Sequence, residues 1–181
     1  MMSAKTVLGQ TAEIAGPKKA FIIPKPEVAA AMIKRAKRPL LVVGAEAPKM
    51  ETKDGDLIDT AIKVSRGGIS VVATGHMVGE FRRRGAEVHS MPLMNLGDRL
   101  RDPEWMGLDG KGRYDLAVFV GFSYYLEWLV QNGLKSFAQD LTMISLSRSY
   151  QPNAGWSLGS MKAEEWKEVI DVIVESIREG N

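Results

Sequence analysis

Short apolar runs that end at a small residue recur along the chain and give the first indication of its fold. Runs that are apolar at nearly every position are typical of strands covered on both faces, as in parallel sheets. The clear runs are 40–43 before Gly44, 69–73 before Thr74 and Gly75, 116–120 before Gly121, and 141–146 before Ser147. A weaker strand is predicted over residues 87–91.

Helical patterns fill the intervals between these runs. Pro26 suits the first turn of a helix that must end before Pro39, because the residue before a proline avoids helical geometry. Asp56 is the predicted N-cap of a helix over 56–65, which Gly67 and Gly68 are predicted to end. The remaining predicted helices cover 77–84, 93–101, 123–137 and 161–178.

Strands that alternate with helices predict βαβ units with right-handed crossovers. The expected fold class is therefore α/β, a doubly wound and mostly parallel sheet with helices on both faces. The apolar residues of 1–23 follow neither a helical nor a strand periodicity, and Gly16 and Pro17 would interrupt a regular element there. We therefore interpret residues 1–23 as an N-terminal arm. Residues 24–181 are predicted to form a single domain, since neither an internal repeat nor a second domain is visible.

The composition narrows the chemistry that the chain can perform. Its 181 residues include no cysteine and two histidines, His76 and His89. Thiolate nucleophiles and cysteine-ligated iron–sulfur clusters are therefore excluded, and a metal site built from several histidines is not expected. We predict no catalytic and no metal-binding residue.

Charge and hydropathy limit the partners and the location. The 24 Lys and Arg against 22 Asp and Glu give a net charge of +2, which is too weakly basic to predict nucleic acid as a partner. The basic residues clustered between Lys18 and Arg38 either form a solvated face or attract an acidic partner, which would be a protein surface or an anionic ligand. No apolar run approaches the ~20 residues of a membrane helix, and residues 1–20 lack the apolar stretch of a signal peptide. We therefore expect a cytoplasmic protein that does not bind membranes.

The ends of the predicted strands carry the candidate cofactor-binding residues. Open α/β sheets bind ligands outside the carboxyl ends of their strands, where glycine allows close approach and helix N-termini offer free N–H groups. Tight turns between a strand and a helix are an equally good explanation, because no GxGxxG or Walker pattern follows the first strand. If a nucleotide binds, the three glycines are expected to converge on it. The candidates are Gly44, Thr74, Gly75, His76, Gly121, Phe122, Ser123 and Arg148.

One segment matches a catalytic motif literally. Residues 155–159 have the pattern GxSxG of the serine-hydrolase elbow, which follows directly on a buried strand and requires a histidine later in the chain. Pro152 and Asn153 predict a loop instead, and no histidine follows His89. Ser157 is therefore not a predicted nucleophile.

Four further stretches of the sequence resemble the same known protein family. They are KRPLLVVG at 37–44, ATG at 73–75, DPEWMGLDG at 102–110, and the run from Tyr114 and Asp115 to Gly121. Together they resemble the epsilon subunit of the archaeal acetyl-CoA decarbonylase/synthase complex over roughly residues 24–178, and the stretch at 102–110 is fairly specific. More distantly, Arg-Pro-apolar-Gly followed by Asp-apolar-Gly looks like the middle domain of thiamine-diphosphate enzymes.

This resemblance implies a Rossmann-like fold of the kind that binds NAD or FAD. It also implies assembly with a nickel–iron–sulfur alpha subunit into an α2ε2 carbon monoxide dehydrogenase that serves acetyl-CoA cleavage and synthesis. The leading hypothesis is a non-catalytic subunit that stabilises alpha and requires no cofactor. The alternative is an FAD-binding electron-transfer module that links alpha to FAD. The α2ε2 composition is also compatible with a homodimer of this chain.

Overall fold

The computed structural model describes residues 19–179, in which helices alternate with strands as the sequence predicts. Among these residues, no helix combines the length and the apolar character that crossing a membrane requires. A 3-10 turn covers Ala47–Lys49. The helices are α1 (Pro26–Arg35), α2 (Leu57–Arg66), α3 (Met77–Arg83), α4 (Leu93–Arg101), α5 (Tyr124–Phe137) and α6 (Ala163–Arg178).

A seven-stranded parallel sheet forms the centre of the molecule. Its strands are β1 (Phe21–Ile22), β2 (Pro39–Val43), β5 (Ser70–Ala73), β6 (His89–Ser90), β7 (Leu116–Val120), β8 (Thr142–Ser145) and β9 (Trp156–Ser157), and β3 (Glu51–Thr52) pairs with β4 (Gly55–Asp56) in a separate hairpin. The order across the sheet is β1-β9-β8-β7-β2-β5-β6, and every neighbouring pair is parallel. The order reverses between β2 and β7, which confirms the predicted α/β, Rossmann-like doubly wound fold.

Two apolar layers hold the helices on the sheet. Leu41 and Val43 of β2 face the layer that contains α1, α2, α3 and α6. Leu40 and Val42 of the same strand face the layer that contains α4 and α5. Alternate residues of a strand point to opposite faces, so a strand buried on both sides needs apolar residues throughout. This explains the continuous apolar runs in the sequence.

Local capping confirms the predicted start of α2. The Asp56 carboxylate accepts hydrogen bonds from the backbone N–H groups of Ile58 and Asp59, at 2.9 and 3.1 Å. The Asp59 carboxylate in turn accepts from the N–H of Asp56, so the two residues form a capping box. Gly67 ends the helix, also as predicted.

Two neighbouring strands on one side of the sheet, β9 and the edge strand β1, were not predicted. β9 lies inside the GxSxG segment, where Ser157 is fully buried and its Oγ accepts from the N–H of Gln151 at 2.9 Å, so this serine is not presented as a nucleophile. β1 continues the edge beside β9, and the ring of Phe21 lies 5.2 Å from that of Trp156. Of the predicted arm, residues 1–18 lie outside the described residues, whereas β1 belongs to the sheet. Strands of two residues show no periodicity in a sequence.

Candidate functional site

The reversal of strand order places Gly44 and Gly121 side by side at the carboxyl ends of β2 and β7. The N–H of Gly44 donates to the carbonyl of Val120 at 2.9 Å, and the N–H of Glu46 donates to the carbonyl of Gly121 at 2.8 Å. A Cβ at Gly44 would overlap the carbonyl oxygen of Gly121. The backbone therefore closes the crevice at the point where a Rossmann fold usually receives a pyrophosphate.

The candidates after β5 form a turn that is separate from this pair of glycines. Both the N–H and the hydroxyl of Thr74 donate to the carbonyl of Val43 at 3.0 Å, which ties β5 to β2. Gly75 has a φ of 60°, a conformation that favours glycine, and a Cβ there would meet nothing within 4 Å. His76 is the exposed N-cap of α3. The structure thus brings together two of the three glycines, and Gly75 lies one strand further along the sheet.

An open groove of about 690 Å³ lies beside the closed crevice, at the carboxyl ends of β7 and β8. Phe122, Ser123 and Arg148 are the predicted candidates that line it. Acids and bases balance in its lining, so no single sign of charge dominates the groove as a whole. The charged lining residues are Glu46, Lys49, Glu51, Arg148, Glu164 and Lys167.

Helix α5 begins at this groove. Ser123 occupies its N-cap in extended geometry, and its hydroxyl makes no capping hydrogen bond within the described part of the chain. The first N–H groups of a helix lack partners inside the helix and lie at the positive end of its dipole. Arg148 reaches the groove from the loop after β8, exposed and without an ion-pair partner among residues 19–179. Free N–H groups and a guanidinium suit an anion such as a phosphate.

A buried carboxyl group lies behind the groove. Glu127 of α5 is fully buried, and its carboxylate accepts hydrogen bonds from Ser145 Oγ at 2.6 Å, Ser147 Oγ at 2.5 Å and Gln131 Nε2 at 2.9 Å. Burial raises the pKa of Glu127 to about 7, although these three hydrogen bonds act in the opposite direction. Ser147 also lines the groove, so this carboxyl is connected to it.

Sequence reasoning missed Glu127, although one signal was available. Glu127 shares a helix face with Val130, Gln131 and Leu134, all of which are buried. An acid on the buried face of a helix is rare, and it is usually paired or functional.

Two more buried polar side chains donate to backbone carbonyls of α5. Gln151 Nε2 donates to the carbonyl of Tyr124 at 3.0 Å, and Asn153 Nδ2 donates to that of Trp128 at 3.2 Å. The amide oxygens of both residues are buried and lack a hydrogen-bond partner in the described structure. Buried acceptors are nearly always satisfied in folded proteins, so these point to a missing water or ligand. Of the two residues, Gln151 lines the groove.

The stretch at 102–110 lies at the opposite end of the sheet, where the strands begin. The ring of Trp105 lies 5.9 Å, in a tilted arrangement, from that of Tyr114, which lies two residues before β7, and the N–H of Leu108 donates to the Tyr114 hydroxyl at 3.4 Å. Gly107 has a φ of 77°. This stretch therefore holds the connection between α4 and β7 and does not reach the groove.

Comparisons with known proteins agree with the resemblance. The sequence profile of the family described as CO dehydrogenase beta subunit/acetyl-CoA synthase epsilon subunit matches residues 5–174. An acetyl-CoA decarbonylase/synthase complex subunit epsilon from Methanothrix soehngenii is 35% identical over 173 residues, which is 93% of this chain and 90% of the relative. A subunit epsilon from Methanothermobacter thermautotrophicus is 32% identical over 92% of this chain and 93% of its own length. Subunit epsilon 1 from Archaeoglobus fulgidus is 39% identical over 76% and 73%. This chain therefore belongs to the family of CO dehydrogenase beta subunits and acetyl-CoA synthase epsilon subunits.

Proposed function

We propose that this chain is a non-catalytic subunit that binds and stabilises the nickel–iron–sulfur alpha subunit of a carbon monoxide dehydrogenase in the cytoplasm. Membership of an epsilon-subunit family supports assembly with partner subunits. The chain contains no cysteine that could hold an iron–sulfur cluster, so the metal chemistry falls to the partner.

The outer face of α5 is the observation that carries this proposal. Tyr125 is 82% exposed, Leu129 50% and Phe137 67%. Tyr125 and Leu129 are neighbours on one side of the helix because they are four residues apart, and Phe137 lies about two turns beyond Leu129. The only charged residues of α5 are the buried Glu127 and Lys135, whose Nζ bonds back to the carbonyl of Pro152. The Arg101 guanidinium of α4 lies over one end of this face, 5.9 Å from the centre of the Phe137 ring. An exposed apolar face with few charges is typical of protein interfaces. Because the family assembles into a complex, we assign this face to the alpha subunit.

Copurification with alpha tests this assignment. Leu129→Asp places a charge on the face and is expected to lower retention of this chain on alpha at least tenfold. Met106→Asp is the matched control, since Met106 is 55% exposed but lies at the other end of the sheet. Equal retention of the two variants would contradict the assignment. If Leu129→Asp instead separates a homodimer while alpha binding persists, the face joins two copies of this chain.

We also propose a second candidate function, in which the groove binds FAD and the subunit passes electrons between FAD and alpha. The free N–H groups at the start of α5 and the guanidinium of Arg148 suit the pyrophosphate. The groove also has an aromatic lining for a ring, to which Phe122 and Tyr124 contribute. No residue of the closed crevice at Gly44 and Gly121 is required.

An FAD titration followed by tryptophan fluorescence tests this second function. Arg148→Met is expected to weaken binding at least tenfold, because a charge-assisted hydrogen bond contributes about 1.5–3 kcal/mol. Arg82→Met is the control, since Arg82 is exposed on α3, away from the groove. Wild-type protein that fails to bind FAD at high micromolar concentration would exclude this function and leave the stabilising role alone.

A further inference from the structure

Two serines contact Glu127, but only one of them reaches the groove. Ser145 Oγ and Ser147 Oγ both donate to the carboxylate, at 2.6 and 2.5 Å, and both side chains are buried. Ser147 lines the groove and Ser145 does not. The hydroxyl of Ser147 thus links a buried acid to an open site, and Ser145 is a natural control for that link.

The protonation state of Glu127 decides what Ser147 presents to the groove. A serine hydroxyl has a single hydrogen. While Glu127 is ionised, its carboxylate accepts that hydrogen. Only the lone pairs of Ser147 Oγ then face the groove, and lone pairs cannot bind an anion. When Glu127 is neutral, its own O–H can donate to Ser147 Oγ, and the serine hydrogen can turn toward the groove. A neutral Glu127 also removes a negative charge that lies two hydrogen bonds, or roughly 5 Å, from a ligand at Ser147.

We propose that a phosphate-bearing anion binds in the groove together with one proton, which Glu127 takes up and whose effect Ser147 transmits to the ligand. The proton comes from solvent, and no covalent bond of the ligand changes. This proposal deepens the FAD function above and rests on it, because it specifies how the same groove accepts a pyrophosphate.

Several features of the site support this coupling. The pKa of Glu127, raised to about 7 by burial, allows proton uptake near neutral pH at little cost. The groups that face its carboxyl are Ser145 from β8, Ser147 from the following loop and Gln131 from α5 itself, and none is charged. The unpartnered buried oxygen of Gln151 on the groove lining is a second, independent sign of a missing water or ligand. Because it is an acceptor, it suits a hydroxyl or N–H group of FAD and not the phosphate itself.

Other charged groups near the groove are separate from this contact set. Arg148 follows Ser147 in the chain and is exposed. Both histidines lie away from the groove, His76 at the start of α3 and His89 on the edge strand β6. The Glu127→Gln variant keeps all of these groups, so any pH dependence that they cause would remain in it.

Calorimetric titration of the full chain with FAD, and separately with inorganic pyrophosphate, tests the proposal at pH 6 and pH 8. Two buffers of different ionisation enthalpy report the proton uptake. If only neutral Glu127 admits the anion, wild-type affinity for FAD, whose diphosphate does not titrate in this range, should fall about tenfold from pH 6 to pH 8, with uptake of close to one proton at pH 8. Glu127→Gln should bind at pH 8 as tightly as wild type does at pH 6, because its amide N–H donates to Ser147 permanently.

The two serine variants separate coupling from general damage to the site. Ser147→Ala should bind weakly at both pH values, since the groove loses its donor. In Ser145→Ala, the affinity should still fall with pH, but the fall should occur at a higher pH than in wild type. The reason is that ionised Glu127 loses a hydrogen bond, which raises its pKa. Wild-type affinity that is equal at pH 6 and pH 8, or an unchanged pH dependence in Glu127→Gln, would overturn the coupling while FAD binding stands. Absence of binding by both probes at both pH values would reject the FAD function and the coupling together.

Discussion

The two ends of the parallel strands use their polar side chains differently. At the amino ends, Asp115 accepts hydrogen bonds from the N–H groups of Lys37 and Arg38, both at 2.8 Å. The Arg38 guanidinium pairs with Asp109 at 2.6 Å and lies 5.1 Å from the centre of the Tyr114 ring. At the carboxyl ends, by contrast, the buried Oε1 of Gln151 on the groove lining has no partner among residues 19–179, and an acid is buried behind the groove. One buried atom at the amino ends, Nε of Arg38, also lacks a partner in this part of the chain.

This difference separates what identifies the family from what could bind a ligand. The stretch at 102–110 is a fairly specific part of the resemblance, and its contacts brace the start of β2 and β7. The groove is built from residues that no motif marks, such as Ser147 and Gln151. A motif can therefore be diagnostic because it holds a connection in place. The predictions below test this division of roles.

The largest expected effect comes from two glycines at opposite ends of the sheet. Gly107 and Gly75 both have positive φ, so alanine at either position incurs a strain of about 1–2 kcal/mol. A Cβ at Gly107 would also lie 2.5 Å from the carbonyl oxygen of Gly112, whereas one at Gly75 would meet nothing within 4 Å. Gly107→Ala should therefore lower the free energy of unfolding by about 3 kcal/mol or more, and Gly75→Ala only by the strain of about 1–2 kcal/mol.

Urea unfolding of both variants measures this difference. FAD affinity should stay at the wild-type value in Gly107→Ala wherever the protein remains folded. An equal loss of stability in the two variants would mean that the connection at the amino ends is not tightly packed.

Much of the fold could be predicted because it depends on local signals. Apolar runs located the central strands, and Asp56 with Gly67 located the two ends of α2. The strand order could not be predicted, since it depends on contacts between segments far apart in the chain. β1 and β9 were missed because each depends on its neighbour across the sheet and has no period of its own.

The candidate site was predictable only in part, for a similar reason. The strand ends were a sound place to look, and Phe122, Ser123 and Arg148 do line the groove. A sequence does not reveal that the loop after Gly44 folds back onto Gly121 and closes the expected crevice. It also indicates the burial of Glu127 only indirectly, through Val130 and Leu134 on the same helix face, and burial is what makes Glu127 unusual.

The next effect in size concerns the pH dependence of stability. Burial raises the pKa of Glu127 from 4.5 to about 7 in the folded protein. Between these values the folded state keeps a proton that the unfolded chain releases. The free energy of unfolding should therefore fall by about 3 kcal/mol as the pH rises through this window, and then level off.

Glu127→Gln should remove this contribution, because the amide does not titrate. Urea unfolding of the variant and of wild type at pH 5 and pH 8 gives the comparison, since all other titrating groups are shared. Relative to wild type, the variant should gain stability at pH 8. Parallel curves for the two proteins would show that Glu127 does not hold a proton in the folded state.

The smallest expected effect compares two arginines, one at each end of the sheet. Arg38→Met removes a guanidinium that stacks on Tyr114 and pairs with Asp109, and the lost stacking alone should lower the free energy of unfolding by about 1 kcal/mol. Arg148→Met should change it by no more than about 0.5 kcal/mol, because Arg148 is exposed and its guanidinium makes no ion pair within residues 19–179. FAD affinity should show the opposite order, weakened by Arg148→Met and unchanged by Arg38→Met. Urea unfolding and FAD titration on the same samples measure both quantities. If Arg148→Met destabilises the fold as much as Arg38→Met, Arg148 has a structural role. The polar side chains at the carboxyl ends of the strands would then be no more available to a ligand than those at the amino ends.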